Sequence, residues 1–216
     1  MITLIKNIIC VDGTGQPPYK ADVLIKGKKI LAVGSFPSYR ADETIMGNEA
    51  YCVPGFFDMN ASSDKYLTLF SQPWQADFLL QGVTSMMIGN CGFSLSPLFY
   101  GSLSSFSHWG GNDRVNINWK SVSEFLDVLD RQYAMGINVA TLVGHKVIRE
   151  ALMKDPSEMR SLSPNELQVF RSVLTNAVAQ GAFGFSTGLG YYPYQQISYH
   201  EVRALADAVK KAGGDL

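Results

Sequence analysis

The sequence is poor in charge. Lys, Arg, Asp and Glu make up 17% of its 216 residues and nearly cancel, to a formal net charge of −1. A balance that close to zero leaves no basic footprint for a nucleic-acid backbone, and no Lys/Arg run marks an anionic membrane surface. Long apolar runs are missing as well. Nothing approaches the roughly 18 residues of a membrane span, and Lys6 and Asn7 break the first apolar stretch before a signal-peptide core could form. The three cysteines, Cys10, Cys52 and Cys91, stand far apart, which excludes a disulfide framework and a CxxC zinc ribbon. No hydroxyl sits in a Ser-x-x-Lys or nucleophile-elbow setting, so serine hydrolase chemistry has no support. What remains, 46% apolar, is enough chain to bury a substantial core. It reads as a cytoplasmic protein with neither a nucleic-acid nor a membrane partner.

Two regions differ in texture. Residues 1–53 carry short Ile/Val/Leu runs between turn signals, with strands expected at 2–6, 8–11, 22–25 and 29–33. Lys26-Gly27-Lys28 closes a hairpin, and short additions are expected at 44–45 and 51–53. This is a small β-sandwich-like module. From residue 54 to 216 the period changes. A short apolar run, 55–60, is followed by an expected helix at 73–81 and a continuous apolar strand at 83–88. A helix at 121–134 opens with a Ser121/Glu124 capping box, and a strand follows at 137–143. Ser163-Pro164-Asn165-Glu166 announces a helix to residue 180. A strand at 183–186 and a helix from Ser198 or Tyr199 to Ala212 complete the series. Fully apolar strands alternating with helices imply parallel βαβ units. Their polar loops, 60–64, 90–94, 144–149 and 186–192, would share one rim of a (β/α) barrel. An open doubly wound sheet is the alternative. About four βα units are present, where a full barrel has eight in roughly 250 residues.

The motifs carry a resemblance. Val53-Pro54-Gly55-Phe56-Phe57-Asp58-Met59 resembles the segment entering the first barrel strand of amidohydrolases. Gly89-Asn90-Cys91-Gly92-Phe93-Ser94, Leu142-Val143-Gly144-His145 with Arg149, and Gly181 through Leu189 are similar, in order, to the N-acyl-D-amino-acid deacylase (D-aminoacylase) branch. The resemblance implies an α/β protein: a small N-terminal β module followed by the first half of a metal-dependent-hydrolase (β/α)8 TIM-type barrel. It implies zinc as cofactor and hydrolysis of the amide bond of N-acyl-D-amino acids, with the metal activating water and polarising the carbonyl. By position in the family, Cys91 is the metal-ligand candidate. The family's His-x-His at the end of the first strand is replaced by Asn60 and Ser62, and the later metal histidines have no counterpart in this sequence. One thiolate cannot hold zinc, since even a catalytic site uses three protein ligands.

Asp64, His145, Arg149, Ser186, Tyr191 and Tyr192 are the candidate substrate-side residues, placed on the rim by the resemblance. Each has a plainer reading: His145 as a structural histidine bonding its loop, Tyr191 and Tyr192 as an edge cover, Cys91 as an ordinary loop thiol. Cys10 and Cys52 fall in strand contexts and read as packing. His108 and His200 carry no chemistry in this reading. The aromatic-rich connection 99–118 is long enough for a lid or an interface. Two functions follow: half of a split amidohydrolase, completed by a chain bearing the C-terminal half, or a non-catalytic descendant acting as a binding or scaffold protein. In either, a complementary chain or a second copy would cover the open barrel edges.

Overall fold

A computed structural model describes residues 1–99, 115–153, 160–191 and 197–214, and the chain divides into two units, Met1–Gly55 and Phe56–Leu216. The first unit is one sheet of five strands: β1 (Ile2–Cys10), β2 (Tyr19–Lys26), β3 (Lys29–Gly34), β4 (Glu43–Met46) and β5 (Tyr51–Cys52). The hairpin around Gly27 forms as expected, β2 antiparallel to β3. The two strands expected at 2–6 and 8–11 are a single strand carrying a bulge between Ile5 and Ile8. Asn7 takes the left-handed conformation there (φ 56°), and its N–H donates to Asp22 Oδ1 at 2.8 Å while Phe36 N–H donates to Oδ2 at 2.9 Å. Those two backbone donors hold the Asp22 carboxyl below the usual range. β4 and β5 both run parallel to β1, an arrangement that short-range turn signals do not reveal.

The second unit is built on four parallel strands, β6 (Phe56–Asp58), β7 (Val83–Ile88), β8 (Asn138–Gly144) and β9 (Gly184–Ser186), lying in sequence order. Each new strand is added on the same side, so there is no switch point and the doubly wound alternative is excluded. The helices are α1 (Thr68–Ser71), α2 (Ala76–Leu79), α3 (Val122–Val128), α4 (His145–Leu152), α5 (Pro164–Ala179) and α6 (Tyr199–Lys211). Met86, Ile88, Val143 and Phe185 point to the helix-covered face and are sealed from water. There Phe125 and Phe170 are also fully buried, each such side chain contributing about 1.5–3 kcal/mol. The register places Phe57, Ser85, Ala140 and Leu142 on the opposite face, where none of them is buried and Phe57 is 45% exposed.

Three expected elements differ. The helix at 73–81 shrinks to α2 because Gln75 is left-handed (φ 48°). Its buried amide is spent instead on the carbonyls of Thr68 and Gln72 and on the Ser63 hydroxyl. The helix at 121–134 starts at its capping box, then widens into a π-helical turn (Leu129–Tyr133) that ends at left-handed Ala134. The loop expected at 144–149 is α4. Its buried side includes His145 and Arg149, so apolar periodicity does not mark it. Among the described residues no helix is long and apolar enough to cross a membrane.

The Ser163/Glu166 capping box also forms, and Arg160 grips the Glu166 carboxylate with two 2.7 Å bonds. Together with the Ser163 N–H they bring the Glu166 pKa down to about 2. A lowered carboxylate pKa means stabilisation that is complete above the unfolded value, near 4.3, and is lost as pH falls toward 2. We expect Glu166→Gln to lower stability at pH 7, with the gap from wild type closing between pH 5 and pH 2 in urea unfolding.

Candidate functional site

All four parallel strands send their C-terminal ends to one loop, residues 89–92, which carries Cys91. From the β6 side, Asp64 Oδ2 accepts the Gly89 N–H at 2.7 Å. From β9, the Ser186 hydroxyl accepts the Gly92 N–H at 3.0 Å and donates to the Gly89 carbonyl. From β8, the Lys146 N–H donates to the Gly92 carbonyl at 2.9 Å. Asn90 ties its own amide back to the Met87 carbonyl at 2.9 Å. The approach is so close that side chains are excluded. A Cβ on Gly89 would sit 2.2 Å from the Leu142 carbonyl oxygen, and one on Gly144 would sit 2.4 Å from that of Gly92. Gly89 (φ 81°) and Cys91 (φ 61°) are both left-handed; for Cys91 that is a strained conformation held by the surrounding bonds.

Tyr191 lies beside Cys91, and that neighbour together with partial burial pushes the phenol pKa up. Cys91, Asn90, Met87, Leu142, Ser186 and Thr187 line an open groove of about 750 Å³. Of the expected site residues, the structure thus gathers Cys91, Ser186 and Tyr191. Asn60 is exposed, its N–H closed onto Asp58 Oδ1 at 2.9 Å, and Ser62 is half-buried. Tyr192 and His108, with most of the aromatic connection 99–118, lie outside the described residues.

Asp64, His145 and Arg149 are buried, at 0, 1 and 3% exposure. Burial pushes the Asp64 carboxyl up, against the lowering effect of the Gly89 and Lys65 N–H groups. His145 and Arg149 converge on Glu201 of α6: His145 Nε2 lies 3.0 Å from Oε1, and Arg149 Nη1 donates to both carboxylate oxygens at 2.7 Å. The His145 ring stacks on Phe170 with centroids 5.4 Å apart. Burial pushes the Glu201 carboxyl up, but the bonds from His145 and Arg149 and the arginine charge outweigh it and leave the carboxyl below its ordinary value. Glu201 has no sequence signal of its own, since its partners lie more than fifty residues away in the chain. Ser198 caps the Glu201 N–H at 3.2 Å, while the carboxylate turns inward.

Three variants separate these roles. Asp64→Ala orphans the buried Gly89 N–H, at a cost of about 1–3 kcal/mol, and should speed alkylation of Cys91 by iodoacetamide. Asp64→Asn keeps an acceptor for Gly89 and should keep the wild-type alkylation rate. Glu201→Ala strands a buried guanidinium and should cost about 3–5 kcal/mol in denaturant unfolding.

No family model matches the chain. It is 33% identical over 204 residues to an N-acyl-D-glutamate deacylase of Alcaligenes xylosoxydans xylosoxydans, covering 94% of this chain and 40% of that protein. A crystal structure of D-aminoacylase superposes with a TM-score of 0.84 at 29% identity, over 98% of this chain and 44% of the other. N-acyl-D-glutamate deacylase from Bordetella bronchiseptica, solved with zinc and a phosphonate mimic of the tetrahedral intermediate, superposes at 0.81 and 29% identity, over 97% and 43%. This chain therefore spans about two fifths of the length of these relatives. The four-stranded sheet ordered β6 to β9 is the corresponding half barrel, and the chain is homologous across nearly its whole length to the N-terminal part of the N-acyl-D-amino-acid deacylases of the amidohydrolase family.

Proposed function

We propose that this chain serves the hydrolysis of N-acyl-D-amino acids as the first half of a deacylase barrel and does not catalyse it alone. The observation that carries this reading is the Cys91 loop, clamped from the ends of all the other three strands. A rim held that rigidly, with its thiol facing an open groove, is preorganised for a ligand rather than relaxed into a remnant.

The zinc of the solved relative does not fit the residues present. Among the described residues no three His, Cys, Asp or Glu side chains are placed to share a metal ion. Asn60 offers only a weak amide oxygen, Ser62 a hydroxyl that stays protonated at neutral pH, and Asp64 is engaged by Gly89. Cys91 is left as one soft donor where three ligands are needed. The missing ligands would come with the strands that complete the barrel. The half-open inner face, with Phe57 45% exposed, and the one-sided pairing of β6 and β9 among the described residues both suit a complementary chain carrying those strands. A second reading, a non-catalytic binding or scaffold protein, is favoured by the paired replacement at Asn60 and Ser62.

Native mass spectrometry of the chain recovered from its own cells, followed by assay on N-acetyl-D-glutamate and N-acetyl-D-methionine, decides between them. We expect the isolated chain to carry no zinc and release no free D-amino acid. A zinc-bearing complex with a histidine-bearing second chain should hydrolyse at least one of these substrates. Turnover by the isolated chain would overturn the proposal, and a metal-free monomer or homodimer as the sole species would establish the scaffold reading.

A further inference from the structure

Two of the three cysteines lie together in the first unit. Cys10 closes β1 and Cys52 closes β5, and the two are direct cross-strand partners in the parallel β1–β5 ladder. The register is held on both sides of the pair: Ile9 N–H donates to the Ala50 carbonyl at 3.0 Å and Val11 N–H to the Cys52 carbonyl at 2.9 Å. Neighbouring strands run about 4.7–4.9 Å apart, inside the span of about 4.4–6.8 Å that separates the Cα atoms of disulfide-bonded cysteines. Directly paired residues project to one face of a sheet, and here both side chains join one apolar cluster with Ile8, Ala21 and Val23. Both are free thiols, Cys10 buried and Cys52 half-buried.

We propose that Cys10 and Cys52 are an oxidation-sensitive thiol pair that closes to an intramolecular disulfide when the protein meets a peroxide. Cys52, the more accessible of the two, reacts first: its sulfur attacks the peroxide O–O bond and becomes a sulfenic acid, and one water leaves when the oxidant is hydrogen peroxide. The Cys10 sulfur then attacks the Cys52 sulfur. The S–O bond breaks, its oxygen leaves as a second water with the Cys10 proton, and the S–S bond forms. The two thiols have together lost two electrons and the peroxide has gained them. Tyr19 is the partner of Cys10 on the β2 side, and its hydroxyl donates to Asp12 Oδ2 at 3.3 Å. The product is a covalent tie between the first and last strands of the module. It would close a loop containing β2, β3 and β4.

The test treats the full-length chain with one equivalent of hydrogen peroxide, quenches with iodoacetamide and maps peptides without reduction. The expected result is a Cys10–Cys52 linked pair two hydrogens lighter than its parts, reversed by dithiothreitol and kept in Cys91→Ser. Cys52→Ser, at the half-buried position, should abolish it, and Cys10→Ser should leave Cys52 as a sulfenic acid that dimedone traps. Full alkylation of both thiols after denaturation would overturn the proposal, as would a product linked through Cys91 or between two chains.

Discussion

The arrangement of the second unit depends on how closely backbone can approach backbone at the rim. Leu142 carbonyl against Gly89, and Gly92 carbonyl against Gly144, leave no room for a Cβ. That proximity lets the loop after β7 collect a carboxylate from the β6 side, an amide from α4 and a hydroxyl from β9. Each bond satisfies a buried polar group that would otherwise carry a desolvation cost of about 1–3 kcal/mol. The result is a non-glycine residue, Cys91, held in a left-handed conformation with its thiol toward the groove. Asp64 and Ser186 thus act on the site through the loop they fasten.

A second polar device lies behind the rim. Arg149 and His145 of α4 meet Glu201 of α6 in a pocket almost closed to water. An ion pair at that depth adds little net stability over a well-packed apolar alternative, but removing one partner leaves an uncompensated charge. Its effect is therefore to dictate which turn of α6 faces which turn of α4. Two of the six residues that resemblance would place on the substrate side, His145 and Arg149, are committed to this internal role, while Ser186 lines the groove with Asn90, Cys91 and Thr187.

The described residues thus form a rigid rim on a half barrel like that of the deacylases, while no three of their His, Cys, Asp or Glu side chains are placed to share a metal ion. The loop is held by glycines, backbone groups and the side chains of Asp64, Asn90 and Ser186, so its shape needs no metal ion. Neither Asn60 nor Ser62 takes part in the bonds that shape the Cys91 loop.

The four parallel strands, both capping boxes and the ordered motifs around Cys91 were legible in the linear sequence, because apolar runs, N-caps and glycine-rich turns act over a few residues. Only the tertiary structure decided the rest. Helix α4 was hidden because polar His145 and Arg149 flank Val147 and Ile148 on its buried face, and the helix at 73–81 was cut short by a glutamine amide bonding to carbonyls three and seven residues back. Glu201 meets partners 52 and 56 residues away in the chain. Cys10 and Cys52, read separately as packing residues, became neighbours only when β5 paired parallel to β1 across 42 positions of chain. Periodicity and caps are local and survive in one dimension. Which buried carboxylate meets which guanidinium, and which thiol meets which thiol, is set by long-range pairing, for which a single sequence carries no local signal.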